Sequence, residues 1–152
     1  MSPTRFAIDT AITASCSSLC RSKRGVCIYT GDFLLATGFN HQPGRLACDG
    51  SELCKSTCRY TAVHAEAAAL LRCAFPYRLV GSSLVHIKTV NGVPVPSEGP
   101  SCLPCACLIL EARIGTVWLL LSEGWHSYDA AEFHRLSVEA FRDKNSDQQH
   151  AK

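Results

Sequence analysis

No apolar run in this chain approaches the ~18–20 residues that a membrane-crossing helix needs. Charged side chains make up only 18% of its 152 residues. The first ten residues hold no basic stretch followed by an apolar one, so the pattern of an export signal is missing and a cytoplasmic location is expected. Lys and Arg number 15 against 13 Asp and Glu, a balance of +2 with no basic stripe, which is poor support for a nucleic-acid surface. No internal repeat and no domain boundary is visible, so one domain over 1–152 is expected. Hydrophobic residues at 47% give a chain of this length enough material for a full core, which excludes the disordered and fibrous classes.

Cysteine is what the sequence has in excess, with ten. Disulfide scaffolds are usually much smaller and lack a full core. Without an export pattern, metal ligands together with buried free thiols are the expected use.

Periodicity divides the chain into alternating helices and strands. Residues 3–20 read as a first helix. Short apolar runs at 26–29 and 33–37 flank Thr30-Gly31-Asp32, a hairpin signal. Residues 38–57 are dense in Gly, Pro, Asn, Asp and Cys and read as a long loop. A helix is expected over 61–73, stopped by Pro76. A strand follows at 83–90, then an Asn91-Gly92 turn and a short arm at 93–95 that Pro94 and Pro96 weaken as a strand. A third helix is expected over 102–113, an apolar strand over 116–121, an amphipathic helix over 130–141 and a frayed polar tail over 142–152. The alternation predicts α/β layers, helices packed on the faces of a sheet.

Two segments carry chemistry. His64-Ala65-Glu66 opens one expected helix, and Pro100-Ser101-Cys102-Leu103-Pro104-Cys105 opens another. Cys102 and Cys105 are three apart, so a helical turn points both sulfurs to one side, where they can share a metal. Pro104 is tolerated because the first turn of a helix leaves its N–H donors unused. His64 and Glu66 cannot share a helix face, but from a helix start both reach a point just off its end. A metal between two helix N-termini gains from their positive dipole ends. Three protein ligands with an open fourth position describe a catalytic zinc with a water of lowered pKa. Glu66, beside that water but not a ligand, can take its proton and return it to a ring nitrogen and a leaving amine. The bland alternative, a satisfied histidine and a redox or structural cysteine pair, leaves the His-x-Glu at another helix start without a purpose.

H-x-E followed by P-C-x-x-C is the signature of zinc-dependent deaminases. Here it stands as H-A-E and P-S-C-L-P-C, with the proline one place early. Gly38-Phe39-Asn40-His41-Gln42-Pro43 resembles the G-Y-N-x-x-P loop of deoxycytidylate deaminases, and Arg21-Ser22-Lys23 their R-S-K segment before the first strand. Over about residues 21–121 the chain resembles the cytidine/deoxycytidylate deaminase superfamily, nearest in pattern to the deoxycytidylate deaminases. The resemblance implies a three-layer helix–sheet–helix sandwich on a five-stranded mixed sheet, a zinc cofactor and a homo-oligomer. It implies hydrolytic deamination of a cytosine-type nucleotide or nucleoside, a small-molecule substrate resembling dCMP, to a uracil product and ammonia. By the same resemblance Asn40 binds a sugar hydroxyl, while the backbone at Ala65 and the carbonyl of Ser101 read the base. Two departures leave the substrate open: the family's H-A-E-x-N-A asparagine is Ala68 here, and the arm at 91–99 is longer. Ala112-Arg113-Ile114-Gly115 and Val117 look equally like tRNA adenosine deaminases, against which the weak positive charge speaks. A modified pyrimidine or purine remains a further substrate class. A catalytically dead zinc-binding module is the alternative from another class, and it has no need of Glu66.

Arg21, Lys23, Arg24, Arg45 and Arg59 flank the Asn40 loop and are candidates for a 5′-phosphate, with Arg21 and Lys23 first through the family match. Trp118 is expected in the core, and Trp125, His126 and Tyr128 are read first as packing residues and second as ligand or subunit contacts. No role is assigned to His86 or His134. A second, structural zinc is expected from Cys54 and Cys58, one helical turn apart, with Cys48 just upstream. Resemblance to deoxycytidylate deaminases that carry an extra zinc adds Cys20, with Cys16 as its substitute. Free thiols are the alternative.

Overall fold

A computed structural model describes residues 1–44 and 48–149. Helix α1 (Arg5–Cys16) is capped by Thr4, whose hydroxyl accepts the Ala7 N–H at 3.2 Å. Strands β1 (Lys23–Thr30) and β2 (Phe33–Phe39) form the expected antiparallel hairpin. The segment read as a loop contains a helix, α2 (Glu52–Thr61), started by the Ser51 hydroxyl, which accepts the Cys54 N–H at 3.0 Å. Density of Gly, Pro and Cys hid that cap. Helix α3 (Ala65–Leu71) begins later than expected and has His64 as its N-cap residue. A short 3₁₀ turn (Pro76–Leu79) leads into β3 (Ser83–Val90).

Asn91 and Gly92, with φ of 51° and 74°, turn the chain back into β4 (Val93–Val95), which pairs antiparallel with β3. Helix α4 (Leu103–Glu111) and strand β5 (Thr116–Leu121) follow as expected. Strand β6 (Gly124–Asp129) was not foreseen: Trp125, His126 and Tyr128 lie on it, paired antiparallel to β5. Helix α5 (Ala130–Gln149) runs well past residue 141, so the tail expected to fray is helical through 149; residues 150–152 lie outside the described residues.

The sheet order is β2-β1-β3-β5-β6, with β4 attached to β3; β3 and β5 are parallel and all other pairs antiparallel. Alternation along the strands separates two cores. Cys27, Val85, Ile87 and Trp118 pack with Ala7 and Ala11 of α1 on one face. Val26, Ile28, Leu84, Val117 and Leu119 pack with Ala65 and Ala69 of α3, Ala106 and Ile109 of α4 and Phe133 of α5 on the other. The result is the expected α/β three-layer sandwich on a mixed sheet, with Trp118 in the core. Among the described residues, no helix is long and apolar enough to cross a membrane.

Candidate functional site

One glycine sets where α3 lies. A β-carbon on Gly38 would stand 2.3 Å from the Ala65 carbonyl oxygen and 2.4 Å from the Ala69 nitrogen. With hydrogen in its place, the backbone of α3 rests directly on β2, and its N-terminus is fixed beside the sheet. The N-terminus of α4 arrives at the same point, with Cys102 as its N-cap residue and Pro104 in its first turn.

These two helix starts bring together three expected ligands. His64 Nδ1 is 3.2 Å from Cys102 Sγ and 3.4 Å from Cys105 Sγ, and the three atoms lie within 4.8 Å of one another. Around a tetrahedral zinc, with bonds of ~2.3 Å to sulfur and ~2.0–2.1 Å to nitrogen, an N-to-S edge measures about 3.6 Å. The donor set and its spacing therefore fit zinc. The Cys105 S–H, together with His64, brings the Cys102 thiol down to about 5 against the resistance of burial. Cys105 moves up, because it is the thiol that donates to Cys102 and because it is buried.

Glu66, in the first turn of α3, is 4% exposed. The Ser101 hydroxyl donates to its Oε1, and His86 Nε2 stands 3.8 Å from the same oxygen. Burial pushes the Glu66 carboxyl up, but the imidazole of His86 and the hydroxyl of Ser101 outweigh it and leave the group below its ordinary value. Burial pushes His86 down, against the pull of the Glu66 carboxylate. Ser101 was expected to act through its carbonyl; its hydroxyl contact was not anticipated. His86 had been assigned nothing, yet its phase with Leu84 on β3 already placed a polar side chain on the face that carries α3.

A cavity of about 470 Å³ opens over these groups, and Asn40, Ala65, Glu66, His86, Ser101 and Cys102 line it. Asn40 is largely committed within the chain: Oδ1 accepts from the Arg24 N–H at 2.8 Å and the Ser18 hydroxyl at 2.9 Å, and Nδ2 donates to the Ser22 carbonyl at 2.7 Å. That leaves a single Nδ2–H for a ligand. Arg21 and Arg24 line the cavity. Lys23 does not join them, because its ammonium donates to the Ser18 carbonyl; the expected pair Arg21 and Lys23 becomes Arg21 and Arg24. Arg45 lies outside the described residues, as does the side chain of Arg59. The long arm closes part of the wall with Gly99 and Pro100, and the Ser97 N–H is held by the Leu120 carbonyl at 2.7 Å.

Cys54 and Cys58, which also line the cavity, belong to a second sulfur cluster. Cys54 Sγ is 3.2 Å from both Cys48 Sγ and Cys58 Sγ, and the three sulfurs lie within 4.8 Å of one another. Cys20 is buried nearby, where the charges of Cys48 and Cys58 add to burial in raising its thiol, but it is not part of the three-sulfur group. Cys16 is exposed and sits against Gly92, at the turn between β3 and β4, so it is no substitute for Cys20.

No family model matches the sequence, and no curated protein sequence matches it either. Solved structures do. The apo crystal structure of dCMP deaminase from the cyanophage S-TIM5 is 22% identical, covers 77% of this chain and 82% of its own, and superposes with a TM-score of 0.53. The crystal structure of cytidine deaminase from Burkholderia pseudomallei is 17% identical, covers 86% of this chain and 96% of its own, and gives a TM-score of 0.58. This chain has the fold shared by the dCMP and cytidine deaminases.

Proposed function

We propose that the protein hydrolytically deaminates cytosine in a free nucleotide or nucleoside. One observation carries this reading: a buried carboxylate, Glu66, opens into the same cavity as a His-Cys-Cys donor set that fits zinc. His64, Cys102 and Cys105 would hold the zinc, which when bound would supply a water acidified toward neutrality as the nucleophile for the amino-bearing ring carbon. Glu66 takes one proton of the attacking water and delivers it to the ring nitrogen. It then takes the remaining proton from the oxygen added to the ring carbon and passes it to the departing amine, which leaves the carbonyl product and ammonia. The hydroxyl of Ser101 holds one carboxylate oxygen while this happens. Ala65, Ser101 and Asn40 line the cavity, which supports reading the backbone at Ala65 and Ser101 as the contact to the base and the remaining Nδ2–H of Asn40 as a donor to a sugar hydroxyl.

A cavity of about 470 Å³ suits a small molecule and supports a free nucleotide over a polymer. Among the described residues, Arg21 and Arg24 are the cations that line the cavity and could meet a 5′-phosphate, which supports a monophosphate such as dCMP over the nucleoside. Cys48, Cys54 and Cys58, with Cys20 adjacent, are proposed to hold a second, structural zinc that fixes α2 as a wall of this cavity.

Ammonia release from cytidine, deoxycytidine, CMP, dCMP, modified cytosines and adenosine tests the reaction. Release from cytosine substrates, largest with a monophosphate, is the expected result. Release from adenosine alone, or from none of the panel, overturns it.

A further inference from the structure

His86 stands at the middle of the sheet, with Val26 of β1 opposite it on one side and Leu119 of β5 on the other. Strand alternation sends Val85 and Ile87 to the α1 face and Leu84 to the α3 and α4 face, so His86, in phase with Leu84, faces Glu66. It is 6% exposed. Nε2 faces Glu66 Oε1 at 3.8 Å, while Nδ1 is buried without a hydrogen-bond partner.

That asymmetry selects a tautomer. A neutral imidazole carries one N–H and one bare nitrogen. A buried N–H without an acceptor loses its water and gains nothing in return, whereas a bare nitrogen forfeits less. The proton therefore belongs on Nε2, where a carboxylate faces it. A separation of 3.8 Å exceeds a hydrogen bond by less than about 1 Å, and contacts of this kind tighten when a catalytic site fills. The Ser101 hydroxyl approaches Oε1 as well, so both contacts fall on one carboxylate oxygen and neither engages Oε2.

We propose that His86 is a positioning residue: its Nε2–H and the Ser101 hydroxyl pin Oε1 of Glu66, so that Oε2 is the oxygen that carries protons during deamination. The inference rests on the reaction proposed above. A central strand in the sheet is a firmer mount than a loop, and a carboxylate held at one oxygen cannot rotate to exchange the two.

Three variants separate this role from packing. His86→Gln places a carboxamide nitrogen near the position of Nε2, His86→Asn places one near Nδ1, and His86→Leu supplies neither. With zinc-loaded protein and its best cytosine substrate, His86→Asn and His86→Leu are expected to lower kcat by at least about tenfold, with KM changed less than about threefold. His86→Gln is expected to recover most of kcat. Long-range ¹H–¹⁵N spectra of the zinc-loaded wild type should show a protonated Nε2 and a bare Nδ1 at His86. The ¹³C carboxyl signal of Glu66 should move in His86→Asn and stay near wild type in His86→Gln. Wild-type kcat in His86→Leu, equal effects of Asn and Gln, or a proton on Nδ1 overturns the proposal. If His86→Leu fails to fold, the comparison of Gln with Asn still decides. If wild-type protein releases no ammonia from any cytosine substrate, the proposed reaction fails. The tautomer and the Glu66 signal then settle the His86–Glu66 pairing alone.

Discussion

Among the described residues, two sets of three metal-capable side chains lie together, and their surroundings differ more than their donors do. His64, Cys102 and Cys105 sit at two helix N-termini packed against the sheet, with buried Glu66 and His86 beside them. Cys48, Cys54 and Cys58 sit on and before α2, whose buried area is slight, and Asp49, next to Cys48 in the chain, is exposed and accepts the Ser51 N–H. The two donor sets thus differ in their company: beside the first a carboxylate is held out of water in the same cavity.

The sharpest way to break this contrast is to neutralise that carboxylate. Glu66→Gln should lower kcat by ~10²–10⁴-fold or more while zinc content stays at the wild-type level. Full turnover in that variant would make the two clusters equivalent. Next come the ligands. Cys102→Ala should lose one zinc and all turnover yet retain the second metal, whereas Cys54→Ser should retain the first and lose the second, with a lower Tm. Metal analysis of unchelated protein reads both, and a single zinc that vanishes in Cys102→Ala removes the second site.

Chelated protein sharpens the contrast through thiol chemistry. Cys102 is exposed and brought down to about 5, so above that pH it is a thiolate. Cys54 is pushed up to about 12, chiefly by donating to Cys58. At pH 7 iodoacetamide should therefore label Cys102 well before Cys54, with a rate that rises as pH climbs through about 5, and added zinc should protect it. The smallest effect concerns the substrate: Arg24→Ala should reduce a preference for monophosphate over nucleoside by about tenfold, read as a ratio of kcat/KM values.

Much of this was legible in the sequence, because the helix-start spacings of His64-Ala65-Glu66 and Cys102-Leu103-Pro104-Cys105 are local, as is the apolar run of β5. The rest depended on tertiary context. Helix α2 is amphipathic but short and poor in strong hydrophobes, so its cysteine-bearing face was lost among the Gly, Pro and Cys of the segment around it. Strand β6 is half-exposed and alternates weakly, and it gains its strand geometry from pairing with β5. Residues 142–149 show no amphipathic face, yet α5 continues through them with Asn145 and Ser146 donating to the carbonyls of Phe141 and Arg142. His86 looked like any strand histidine until Glu66 was placed opposite it.

The bare α-carbon of Gly38 has a consequence beyond packing. Any side chain there must push β2 and α3 apart, and His64 and Glu66 ride on the end of α3. A single methyl group, placed on a residue with no chemistry of its own, would change the distance between His64 on one helix and Cys102 and Cys105 on another. Gly38 thus acts as a spacer gauge for the site, and a chain that drifted at this position would lose the spacing of its His-Cys-Cys donor set while keeping every one of those side chains.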